Sequence, residues 1–207
     1  MNETLKLGLI LFIITVISAS ILAVSNNITA PKIAEADALK DDLAKKEILP
    51  QGDKFEPLEE GKMEEIKSEY PNIVEIYGGH NENDLEGYTV KMKVNGYGGE
   101  IEFITGVSTD GKITGIKILN HGETPGLGEN ATKSYFSDSF KNKPVDKELT
   151  AVKKPESDNE VQALTGATVT TTAVVDGVNI VREIYNSKLA NWWRCKDWSY
   201  PKFFIMD

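Results

Sequence analysis

The chain falls into stretches of different apolar rhythm. Leu7 to Val24 (LGLILFIITVISASILAV) carries no charge. As a helix of about 18 residues it spans roughly 27 Å, close to the hydrocarbon thickness of a bilayer. Pro31 to Lys46 (PKIAEADALKDDLAKK) predicts a separate polar helix, with Pro31 suited to its first turn. Pro50 to Pro57 reads as a loop or extended link, and Glu59 to Ser68 as a short helix ended near Pro71.

From Ile73 the period shortens to two. Ile73 to Tyr77, Gly87 to Val94, Gly99 to Val107 and Lys112 to Leu119 predict strands, and Asp110-Gly111 between the last two is a strong hairpin signal. The alternation implies an antiparallel sheet with one covered face. Lys133 to Phe140 predicts a short helix carrying Tyr135, Phe136 and Phe140, and Lys141 to Asn159 is polar and loop-like. In Thr170 to Tyr185, the residues Val174, Val175, Val178, Val181, Ile184 and Tyr185 form a helical apolar stripe. The fold class expected is α+β, a twisted antiparallel sheet flanked by helices, with one N-terminal transmembrane helix. Its parts are an anchor over 1–25, a helical linker over 26–72, a domain over 73–190 and an aromatic-rich tail over 191–207. In that tail Trp192, Trp193, Trp198, Tyr200, Phe203 and Phe204 stand among Arg194, Lys196 and Lys202. Packing on the domain is the favoured reading, ahead of a docking or membrane-interface segment.

A cleaved signal peptide is the rival to the anchor, since Ser18-Ala19-Ser20 and Ala23-Val24-Ser25 offer small residues near the end of the run. The run is long for a signal core, and Lys6 is offset by Glu3, so an uncleaved anchor is favoured. Charge does not support an N-inside orientation: Lys6 flanks one side, Lys32 and Lys40 the other.

Composition narrows the chemistry. Apolar residues make up 40% of the chain, enough for a core, and the net charge of -9 comes without a basic patch, which argues against nucleic acid as a partner. One cysteine, Cys195, forms neither an internal disulfide nor a cluster site, and two histidines, His80 and His121, are too few for a usual haem or metal centre. Any redox chemistry falls to an organic cofactor.

Three loops are candidates for holding one. Thr165-Gly166-Ala167-Thr168-Val169-Thr170 combines small residues, which allow close backbone approach, with hydroxyls at the start of a helix, where an anion can sit. Caps are the ordinary use of such threonines. His121-Gly122-Glu123-Thr124-Pro125-Gly126-Leu127-Gly128 follows a strand directly and presents polar groups beside an exposed Leu127. A strand-to-helix turn without a ligand is its plainer reading. Asn95-Gly96-Tyr97-Gly98-Gly99 reads on its own as a glycine-rich hairpin connection.

Together these pieces, with the hairpin from Gly106 to Leu119, resemble in order and spacing the FMN-binding domain found in the Rnf complex, in its G subunit, and in the sodium-pumping NADH:quinone oxidoreductase, in its C subunit. The resemblance covers roughly residues 85 to 187, and with the anchor most of the chain resembles the Rnf G subunit. It implies FMN esterified through its phosphate, by a flavin transferase, to the last threonine of an [ST]-G-A-T motif. Here that is Thr168, after Thr165, Gly166 and Ala167. The family often has an acidic residue three positions before the motif; this chain has Gln162. Thr170, Glu123, Thr124, Gly126, Leu127, Gly128, Tyr97 and Gly98 are the further cofactor-binding candidates, with Leu127 against the ring. The resemblance also implies an electron-relay component of an ion-translocating ferredoxin:NAD⁺ oxidoreductase, without independent catalytic activity. Its partners would be the A, B, C, D and E subunits of the Rnf complex and membrane lipid, with the soluble domain on the extracytoplasmic side of a single-pass cell-membrane anchor. No catalytic residue and no metal ligand is expected. The alternatives are the quinone-reductase C subunit, or a non-redox anchored module for a phosphate-bearing ligand.

Overall fold

The computed structural model describes residues 3–82 and 84–190; the aromatic tail over 191–207 lies outside the described residues. The chain divides after Asp42 into two compact units. The first is helical and belongs to α1 (Glu3–Ile48). Among the described residues α1 is the one helix long and apolar enough to cross a membrane. Two hydroxyls inside the apolar run bond within the helix: Thr15 donates to the Leu11 carbonyl at 2.8 Å and Ser20 to that of Val16 at 2.7 Å. No new helix starts at Pro31, contrary to expectation; α1 runs through it. Proline removes one backbone hydrogen bond, and the Ala-, Lys- and Leu-rich residues beyond it are strong enough helix formers to carry on.

The second unit is built on β1 (Lys54–Pro57), β2 (Ile73–Asn81), β3 (Asp84–Asn95), β4 (Glu100–Ser108), β5 (Lys112–His121) and β6 (Lys143–Pro144). These form one antiparallel sheet in the order of the sequence, so every neighbour in the sheet is the next strand along the chain. The expected α+β class is borne out. β1 replaces the expected link: Phe55 pairs with Gly79 and Pro57 with Tyr77, at the edge, where a proline costs no ladder bond. The Asp110-Gly111 hairpin forms as read, with Gly111 at φ +77° and its N–H donating to the Ser108 carbonyl at 3.1 Å.

One face of the sheet carries Val90, Met92, Ile101 and Phe103, all buried. Against it lies α4 (Thr168–Ile184). The six residues of its predicted stripe are all buried, each such side chain contributing about 1.5–3 kcal/mol over exposure. The polar stretch from Lys141 is held to this helix. Asn179 accepts the Leu149 N–H at 2.8 Å and donates to the Leu149 carbonyl at 2.9 Å, and Arg182 and Asn186 both donate to the Val145 carbonyl. Within this stretch β7 (Thr150–Val152) pairs in parallel with β8 (Glu160–Gln162). The expected short helix is smaller than read, with α3 (Ser134–Ser137) followed by a 3₁₀ turn over Asp138–Phe140. Phe136 and Phe140 meet edge to face at 5.3 Å.

The expectation of a single covered face needs correcting. Ala44 and Ile48, at the end of α1, pack on Ile104 across the other face. Gly106 makes room for them, because a side chain there would overlap Ile48 and the Thr114 hydroxyl. Lys45 is buried with its ammonium 3.8 Å from the Tyr77 ring centroid, a cation–π contact.

Candidate functional site

The sheet register brings two of the three loops together. Asn95 pairs with Glu100 across the 96–99 connection, and Ile101 pairs with His121, the last residue of β5. The glycine-rich connection and the 121–128 loop therefore leave the same end of the sheet. The first turn of α4 meets them there.

Glu123 joins all three and is only 7% exposed. Its Oε1 accepts the Tyr97 N–H at 2.7 Å and the Gly98 N–H at 3.3 Å, while Oε2 accepts the Thr170 hydroxyl at 2.8 Å. Its own N–H donates to His121 Nδ1 at 3.3 Å. Gly96 and Gly128 leave space for the carboxylate: a side chain at Gly96 would strike Oε1, and one at Gly128 would strike Oε2.

These contacts frame a cleft of about 400 Å³, lined by Tyr97, Glu123, Thr124, Leu127, Gly128, Gly166, Ala167, Thr168, Val169 and Thr170. That volume suits a small organic ligand. In the second unit, the exposed large apolar side chains among the described residues beyond Leu43 are Tyr97, Leu127, Tyr135 and Val169. Three of these four stand at the cleft, so the surface apolar area is concentrated there.

The threonines divide by environment. Thr171 is buried; its hydroxyl donates to the Ala167 carbonyl and accepts the Leu164 N–H. Thr170 is buried and committed to Glu123. Thr165, Thr168 and Thr172 are exposed, and of these Thr168 alone lines the cleft. Thr168 opens α4, and no side chain caps the helix at Ala167. The first helical bond in this turn is Thr171 N–H to Ala167 C=O at 3.0 Å. The N–H groups of Thr168, Val169 and Thr170 thus have no acceptor within the helix, and the positive end of its dipole faces the same region.

The structure brings together Tyr97, Glu123, Thr124, Leu127, Gly128, Gly166, Ala167, Thr168 and Thr170 of the expected site. Gly98 stands behind the lining and gives its N–H to Glu123. Gly126, at φ +76°, shapes the loop from outside the cleft, its N–H donating to Glu129 at 3.0 Å. Thr165 lies on the approach to α4, outside the lining. Val169 was not among the expected residues. Its signal was an apolar side chain out of phase with the buried stripe of its helix. Among the described residues no group of His, Cys, Asp and Glu is placed to hold a metal ion.

Residues 96–183 match the family model described as the FMN-binding domain. The chain is 40% identical over 190 residues to the G subunit of the Na(+)-translocating ferredoxin:NAD(+) oxidoreductase complex of Acetobacterium woodii, an alignment covering 88% of this chain and 91% of that protein. It is 36% identical over 162 residues to the G subunit of the proton-translocating ferredoxin:NAD(+) oxidoreductase complex of Clostridium ljungdahlii, covering 78% of this chain and 80% of that protein. Among solved structures, the C subunit of the Na(+)-translocating NADH-quinone reductase from Parabacteroides distasonis aligns with a TM-score of 0.48 at 21% identity, over 60% of this chain and 65% of that one. By its likeness to the two ferredoxin:NAD(+) oxidoreductase proteins, the chain belongs to the family of G subunits of the ion-translocating (Rnf) oxidoreductase complexes.

Proposed function

We infer that this chain carries one FMN, esterified through its phosphate to Thr168, and relays electrons within an ion-translocating ferredoxin:NAD⁺ oxidoreductase. The observation that carries the attachment point is the sorting of hydroxyls: of the threonines around the motif, Thr168 alone is both exposed and in the cleft. The residues present fit the group. First-turn N–H groups suit a phosphate, and Tyr97, Leu127 and Val169 offer apolar surface for a ring system. When bound, FMN accepts and passes on one or two electrons. The chain's own residues bind and orient it: Thr168 fixes one end, α4 holds Thr168 in place, and Leu127 offers apolar surface in the cleft lining.

Attachment needs a flavin transferase and a flavin nucleotide whose FMN phosphate is activated by a leaving group: a bond forms between that phosphorus and the Thr168 oxygen, the bond from phosphorus to the leaving group breaks, and the hydroxyl proton is lost. Other subunits of the complex are the redox partners, and ferredoxin and NAD⁺ bind those subunits. The apolar part of α1 anchors the chain in the cell membrane as a single span, with the FMN domain on the extracytoplasmic side; the family resemblance supports this orientation against the weak count of flanking lysines, since long domains translocate largely regardless of charge. The covalent tether keeps the cofactor from being lost outside the cell.

Co-expression with a flavin transferase tests the attachment. Thr168→Ala abolishes in-gel flavin fluorescence after denaturation, while Thr170→Ala and Thr172→Ala retain it. Fluorescence persisting in Thr168→Ala moves the flavin to a neighbouring threonine.

A further inference from the structure

A buried carboxylate stands where all three loops of the cleft meet, and no ion pair neutralises it: among the described residues, Glu123 has no lysine or arginine partner. Its three donors are two backbone N–H groups and one hydroxyl, from positions 25 to 47 residues away along the chain. We propose that Glu123 is a positioning residue for the flavin site: it fastens the 96–99 connection to the first turn of α4 and sets a fixed negative charge in the cleft wall. This rests on the flavin reading given above.

Both halves of the role follow from the geometry. Hydrogen bonds to a charged acceptor are stronger than neutral ones, and a buried acceptor deprived of its donors is costly. The Tyr97 and Gly98 amides therefore stay in place only while the carboxylate does. Tyr97 and Thr170 both line the cleft and both bond to Glu123, so Glu123 ties those two parts of its wall together. Thr124 and Leu127 follow it in the same loop and are positioned with it. The charge acts separately from the shape. An electron arriving on a flavin in this cleft meets a negative charge in partly dry surroundings, where charges interact more strongly than in water. Glu123 thus holds the flavin potential below the value the same cleft would give without the charge.

Two substitutions separate shape from charge in the full-length chain in detergent. Glu123→Gln keeps the shape and an acceptor oxygen for Tyr97 and Gly98 but removes the charge. It moves the midpoint potential of the flavin that is bound to a more positive value. Glu123→Ala removes the struts. In the flavin-free chain, hydrogen–deuterium exchange at the Tyr97 and Gly98 amides quickens by about tenfold or more, while the α4 amides from Val174 to Ile184 keep their protection. If Glu123→Ala also loses the α4 protection, Thr170→Val takes its place in this arm, with quickened exchange at the same amides expected. Unchanged exchange there, or a Glu123→Gln midpoint equal to that of the wild type, overturns the proposal. A wild-type chain that takes no flavin defeats the functional reading instead, and the exchange arm still decides whether Glu123 holds the loops.

Discussion

An alanine at Gly177 brings two opposed effects to α4. In a helix interior, glycine to alanine gains up to about 1 kcal/mol from backbone entropy alone. The packing works against that gain. A Cβ at position 177 would lie 2.7 Å from Phe103 Cζ, 3.0 Å from Val94 Cγ1 and 3.3 Å from Met92 Cε. Phe103 and Met92 are fully buried, in an interior of the usual close packing. Overfilling such a site costs about 1–3 kcal/mol, so the balance runs from near zero to a loss of about 2 kcal/mol, taking the propensity gain into account. Gly61 in α2 (Glu60–Glu69) supplies the contrast, because a Cβ there meets nothing within 4 Å. Gly61→Ala keeps the propensity gain and is neutral to stabilising. Pulse proteolysis in urea reads both midpoints on one scale. The expected order is Gly61→Ala at or above wild type, with Gly177→Ala below Gly61→Ala. A Gly177→Ala midpoint above that of Gly61→Ala would refute the close approach of α4 to β4, and with it the packing that holds Thr168 at the cleft.

Other substitutions test the site and its frame. Thr170→Val leaves Glu123 Oε2 without its donor and lowers stability by about 1.5–3 kcal/mol, whereas Thr172→Val, on the exposed side, stays within about 0.5 kcal/mol; equal urea midpoints for the two variants contradict the assigned bond. Leu127→Ala changes the flavin absorption spectrum with covalent flavin content unchanged, and an identical spectrum removes Leu127 from the ring contacts. Glu65 is bonded to Lys62 at 2.9 Å and to Lys188 at 2.9 Å, and these hydrogen bonds lower its pKa from 4.5 to about 2. A carboxyl depressed in the folded state stabilises above its unfolded pKa and loses that contribution as the pH falls through the folded one. The difference in melting temperature between wild type and Lys188→Met is therefore present above pH 4.5 and shrinks towards pH 2; a difference constant across that window argues against the pairing.

What the sequence made legible was local. The stripe from Val174 to Tyr185 follows from helical periodicity, and the Asp110-Gly111 turn from the φ that glycine accepts. The [ST]-G-A-T motif is contiguous, so resemblance singles out Thr168 as the candidate without reference to its surroundings. What escaped was set by distance along the chain. Nothing near Glu123 indicates that its carboxylate is consumed by Tyr97, Gly98 and Thr170, the last 47 residues away. Periodicity marked the strands, but not that Ala44 and Ile48 would cover their second face. β1 was hidden because four residues ending in proline carry little strand signal, and its pairing with β2 supplies what the local sequence does not. The parallel pairing of β7 with β8 likewise depends on Asn179, which grips the backbone at Leu149 from a different element.

The proposed function stands or falls on attachment of the flavin through the Thr168 oxygen. The intact mass of the chain purified from membranes that contain the transferase, followed by fragmentation of the peptide that includes Thr165 to Thr172, measures this directly. An excess equal to FMN less one water is expected, carried on the fragment that contains Thr168 and absent from Thr168→Ala. An unmodified mass, or the same excess on Thr165, Thr170 or Thr172, would contradict it.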